Sequence, residues 1–187
     1  FIQQTPLIQG LVNIPVQLDV ICFCWESLPQ DGSRITITRL YQLMSRKLWC
    51  KDALRLKKGR RGQVLTENQI KNLSKKEIDR LMSTELRHLG HLAFKGLRNN
   101  HQIEFDESSL LECFEDLADT DSTNDNNPFP SEVLDMVNEM SFLHSTNAGL
   151  DTSKKPSQQT WSFLHLTFQE YFAATWIASK MTAAGDD

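Results

Sequence analysis

A histidine at the point where a strand gives way to a helix can hold an anion. His165 has that setting within WSFLHLTFQEYFAATWIASK, residues 161–180. Trp161, Phe163 and His165 alternate with Ser162, Leu164 and Leu166, the period of a strand. From Thr167 the period lengthens. Phe168, Tyr171, Phe172, Thr175, Trp176 and Ser179 recur at three and four, with Ala173, Ala174 and Ala178 between them, so a helix is expected. Thr167 followed by Glu170 reads as a capping box. His165 then sits at the positive end of the helix dipole, where phosphates are held. The plainer reading of the same residue is a hydrogen-bonded histidine of the core.

Other side chains could do chemistry, but their spacing gives them little to work with. His88 and His91 lie at i, i+3 on an expected helix, yet no Cys or acid at matching spacing completes a metal site, so they read as surface or half-buried residues. Nine acids from Glu104 to Asp125 occur without a Lys or Arg among them. They are spread over a helix surface and the polar stretch ADTDSTNDNNP, which lacks the ordered glycine and terminal glutamate of a calcium loop. LRLKKGRRG, residues 54–62, has five basic residues around a glycine. Such a run can meet nucleic acid, but it reads as a solvated loop, and the chain carries a net charge of -4. Cys22, Cys24, Cys50 and Cys113 each have apolar neighbours, and no zinc spacing is present. A reducing compartment follows, with neither metal nor disulfide.

The elements that must position these residues are mainly helical. With 187 residues, 40% apolar and 24% charged, the chain has the makeup of an ordinary soluble protein and room for one domain or two small ones. Leu7, Ile8, Leu11 and Ile14 recur at helical spacing, and Pro15 fits the first turn of a second helix that carries Val16, Leu18, Ile21 and Trp25. LPQDGS, residues 28–33, is a link, and a domain boundary is expected near residue 32. Thr36 or Thr38 caps a helix with Leu40, Tyr41, Met44, Leu48 and Trp49 on one face. Ser74 and Glu77 open a helix running to Gly96. A short strand leads from His101 into a helix ending near Leu117, and another helix starts at Pro130-Ser131. Strands at 141–144 and 161–165 flank a loop and form a β-hairpin.

FLHLTFQEYFAA resembles the sequence that closes the winged-helix domain of NACHT-type STAND NTPases, the nucleotide-switched receptors that include NOD-like receptors. Phe163, His165, Phe168, Gln169, Glu170, Tyr171, Phe172, Ala173 and Ala174 carry that resemblance in one block. LVNIPVQLDVIC is similar to a segment of the family's first helical domain, and HLAFKGL and the ITIT opening at residue 35 are similar to parts of its winged helix. The resemblance implies the end of helical domain 1 over residues 1–31. It implies a winged-helix domain with a small β-hairpin wing over 32–187, running into the start of the following helical region. It also implies that His165 reaches the β-phosphate of ADP while Pro15 packs on the adenine.

The chain has no GxxxxGK[ST] loop, no acidic strand end for magnesium and no nucleophile elbow. The fragment is therefore expected not to be an enzyme. It starts at Phe1 and is read as a piece of a larger chain whose ATPase machinery lies upstream. The implied role is a switch that closes over ADP shared with an upstream nucleotide-binding domain of the same protein, with Mg2+ held only by that domain. ATP exchange releases it for homo-oligomerisation and signalling in innate immunity or self recognition. A scaffold without nucleotide contact and a DNA-binding winged helix are the alternatives. No run nears the roughly eighteen apolar residues of a membrane span and no leader is present, so a cytoplasmic location without membrane contact is expected.

Overall fold

The computed structural model describes residues 15–28, 36–60, 62–119, 130–145 and 159–183. The boundary expected near residue 32, the helix expected before Pro15 and most of the acidic and hairpin loops lie outside them.

Among the described residues the fold is mainly helical with two small antiparallel sheets. Helix α1, Pro15–Cys24, begins at its proline and runs into a 3-10 turn, Trp25–Ser27. Helix α2, Ile37–Arg55, is capped by Thr36, whose hydroxyl accepts the Arg39 N–H at 3.1 Å. Its expected face is buried: Leu40, Tyr41, Met44, Leu48 and Trp49 all lie in the core. Ile21, Cys24 and Leu28 pack there too, whereas Cys22 is exposed and does not act as a buried apolar residue.

The basic run is a hairpin rather than an open loop, and it stays exposed to solvent. Strands β1, Gly59–Arg60, and β2, Gln63–Val64, pair as a minimal hairpin. Three of its cations have partners: Lys58 meets the buried Glu85 at 2.5 Å, Arg60 meets Glu77 at 3.3 Å, and Arg55 donates to the Glu139 carbonyl. Helix α3, Glu67–Lys71, follows with a capping box of Thr66 and Gln69.

The helix expected from Ser74 to Gly96 is two helices. Helix α4, Lys75–Leu81, has the Ser74–Glu77 capping box, and helix α5 runs from Ser83 to Arg98. The break falls at Met82, whose backbone leaves the helical region (φ -106°, ψ 21°) while its side chain stays fully buried. The apolar period therefore runs through a break that it does not reveal. Gly96 lies inside α5 and is not its stop. A Cβ there would meet Gln169 Nε2 at 2.5 Å and Phe105 Cζ at 2.6 Å, so the residue is selected by close approach. The helix stops instead before Asn100 and His101, both with positive φ.

Strand β3, Glu104–Asp106, leads into helix α6, Glu107–Asp119, with Leu110, Cys113, Phe114 and Leu117 buried. Helix α7, Pro130–Glu139, precedes β4, Leu143–Ser145, and β5, Thr160–Phe163. The last two strands form the expected antiparallel pair, with Leu143 opposite Phe163. Strand β3 adds to the other edge of β5, placing Phe105 opposite Trp161 and giving the order β3-β5-β4. Helix α8, Leu166–Ala183, lies along α5 and closes the core. Its aromatic residues interlock beneath it. Phe172 meets Phe142 edge-on at 4.8 Å, and Phe168 meets Tyr41 in the same way at 5.1 Å. No helix among the described residues is long and apolar enough to cross a membrane.

Candidate functional site

His165 lies between the end of β5 and the start of α8. Pairing with β4 carries one residue past the strand, where Leu164 N–H donates to the Phe142 carbonyl at 3.0 Å. The chain then turns, and the His165 carbonyl accepts the Phe168 N–H at 2.9 Å. His165 is thus the residue that caps α8, one helical start earlier than the Thr167 cap expected. Its ring supplies what a serine or aspartate oxygen supplies elsewhere: Nδ1 accepts the Thr167 backbone N–H at 3.2 Å. The Thr167 hydroxyl lies 3.0 Å from the same nitrogen.

This contact determines the tautomer. A backbone N–H only donates, so Nδ1 must carry a lone pair, and the proton of the neutral ring sits on Nε2. The half-buried imidazole consequently has a donor at its far end, at a helix start whose Thr167, Phe168 and Gln169 N–H groups are taken by His165 itself. That Nε2–H can donate to an anion. The expectation that His165 shares a strand face with Trp161 and Phe163 does not hold, because β5 ends at Phe163 and those two side chains are buried.

Pro15 is exposed at the first position of α1. It stands on a different element from His165, and no hydrogen bond or ring contact joins the two. Leu18, Phe23 and Trp25 near it are also exposed, so that end of the chain presents apolar surface.

The histidine pair on α5 is divided in role. His88 is buried and stacked on Phe114, with ring centres 4.1 Å apart and planes 10° from parallel. Its pKa is lowered to about 4, first by burial and then by the Arg87 charge, with the Thr84 backbone working against them. His91 is half-buried, its Nδ1 3.0 Å from the Cys113 carbonyl, and its pKa is also lowered, chiefly by burial. No cluster of three or more His, Cys, Asp or Glu side chains capable of holding a metal occurs among the described residues.

Sequence reasoning missed a cleft of about 510 Å³ between α2, α4, α5 and α8, and neither Pro15 nor His165 lines it. It also missed the Lys58–Glu85 pair and the hold of Asp52 on Ser141. These join positions 27 to 89 residues apart, and no local pattern signals them.

A family description for a domain of unknown function, DUF7068, matches residues 1–36. No curated protein and no solved structure matches the chain.

Proposed function

We propose that this chain is the regulatory switch of a nucleotide-binding signalling protein of the NACHT/STAND class. It closes over ADP bound mainly by an upstream domain of the same protein. The observation that carries this reading is the capping of α8 by His165, which leaves Nε2–H as a directed donor at a helix N-terminus. The ring gives that N–H to a terminal phosphate oxygen of ADP, while Pro15 and the exposed apolar side chains of α1 face the base and the domain that holds it.

The order strand, two helices, then two strands, with the first strand paired to the last, supports a winged-helix domain. The paired strands β4 and β5 are then its wing. A charge-assisted hydrogen bond contributes about 1.5 to 3 kcal/mol. That moves a closed–open equilibrium by roughly ten- to more than a hundredfold, so one imidazole suffices as the latch. When ATP replaces ADP the contact is lost, the domain swings away, and surfaces for homo-oligomerisation are released. Phosphoryl transfer and Mg2+ binding belong to the upstream domain, and this segment performs no catalysis.

A DNA-reading role is disfavoured. Helix α7, the element before the wing, exposes Glu132, Asp135 and Glu139, and Lys58 and Arg60 are spent on carboxylates. The deciding experiment measures ADP retention and oligomeric state of the full-length parent carrying His165→Ala. Faster ADP loss and a shift to oligomers are expected; unchanged retention together with an unchanged oligomeric state overturns the reading and leaves a helical scaffold.

A further inference from the structure

The cleft between α2, α4, α5 and α8 is independent of the proposed nucleotide contact. Its volume of about 510 Å³ is that of a small-molecule site. Aromatic side chains build its walls: Trp49 and Phe172 from the core, Tyr171 and Trp176 half-buried beside them. Ser45 is buried on the same lining with its hydroxyl beside the Tyr171 phenol.

The charge at this cleft is one-sided. Arg46, Lys75, Arg87 and Lys180 line it against the single carboxylate of Asp79. Arg46 donates to the Leu73 carbonyl at 2.9 Å, and Lys180 Nζ lies 4.7 Å from the centre of the Trp176 ring. No carboxylate among the described residues lies within ion-pairing distance of Arg46, Lys75 or Lys180. They come from three different helices, so a helix-surface pattern does not account for their convergence. Aromatic walls and an excess of cations fit an anionic ligand with an apolar body.

We propose that this cleft binds a small amphipathic carboxylate, its aromatic or aliphatic body between Trp49 and Trp176 and its carboxylate toward Lys75 and Lys180. Arg46 adds to the attracting field.

The test is calorimetric titration of the full chain with indole-3-butyrate and decanoate, each against its neutral primary amide. Indole N–H resonances of Trp49 and Trp176 report where binding occurs. Saturable binding about tenfold tighter for the acids than for the amides is expected, with both indole signals moving. The exposed pair Lys75→Glu and Lys180→Glu should weaken the acids about tenfold and leave the amides and the melting temperature unchanged. Ser45→Leu, which fills the cleft, should weaken acids and amides alike. Equal binding of acid and amide, binding that survives the charge reversals, or no binding at millimolar ligand each overturns the proposal. None of these results bears on ADP retention, so the two readings fail separately.

Discussion

Asp52 grips Ser141 with both of its carboxylate oxygens, Oδ2 taking the backbone N–H at 3.0 Å and Oδ1 the hydroxyl at 2.5 Å. Asp52 is fully buried on α2, and Ser141 stands just before β4, so one side chain ties the long helix to the hairpin that leads to His165. Ser141→Ala leaves Oδ1 buried without its donor. A loss of about 2 kcal/mol is expected, seen as a lower denaturant midpoint with unchanged slope. An unchanged midpoint would mean that the tie contributes nothing to the fold.

Lys58 is the charge that makes a buried Glu85 tolerable. Glu85 is 2% exposed, one oxygen lies 2.5 Å from Lys58 Nζ, and the other has no partner. Lys58→Ala strands that carboxylate and should cost about 3 kcal/mol, whereas the double change Lys58→Ala with Glu85→Leu should recover most of it. Thermal melts of the two variants against the unchanged protein decide the matter, and an equal loss in the single and double variants would contradict it.

Gly96 lies where Gln169 crosses α5. Gln169 is buried and its Nε2 donates to the Gln102 carbonyl at 2.8 Å, so a methyl group at residue 96 displaces a satisfied amide rather than a loose side chain. Gly96→Ala should destabilise by about 2 kcal/mol despite the better helix propensity of alanine. A stabilised variant would show that α5 and α8 can part without cost.

His88 gives the fold an acid-sensitive term. Its folded pKa of about 4 lies below the ordinary 6.5, so the unfolded chain binds the proton more readily. Its contribution is present above pH 6.5 and is lost as pH falls through about 4, up to roughly 3 kcal/mol. Asp52 has the opposite sign, because burial raises its carboxyl above the usual value. Its term favours folding at acid pH and is lost as pH rises through that raised value. Denaturation between pH 4 and 7 should show stability climbing with pH, with a reduced slope in His88→Phe. An equal slope in the variant would remove His88 as the cause.

His165 caps a helix as well as reaching outward, and the two roles can be separated. His165→Ser keeps a capping acceptor for Thr167 but cannot extend a donor to a phosphate, and His165→Ala loses both. The parent carrying either change should lose ADP more than tenfold faster, while only the alanine form should lower the melting temperature, reflecting about 1 kcal/mol. Retention intact in the serine form would reduce His165 to a cap.

Local pattern alone determined much of this protein. The buried face of α2, the Thr36 and Ser74 caps, the strand pair around residues 143–163 and the aromatic stripe of α8 all follow from spacing, because each depends on neighbours within one or two turns. His165 was legible as the junction between strand and helix for the same reason. What only the tertiary structure decided depends on separation along the chain. The break at Met82 is invisible because the side chain stays in the core on both sides of it. Gly96 reads as a helix stop until Phe105 and Gln169 are seen against it, and the pairing of Lys58 with Glu85 and of Arg60 with Glu77 appears only once the helices are in place. The donor on His165 required knowing which nitrogen the helix start had already taken, a matter of ångströms that residue types do not encode.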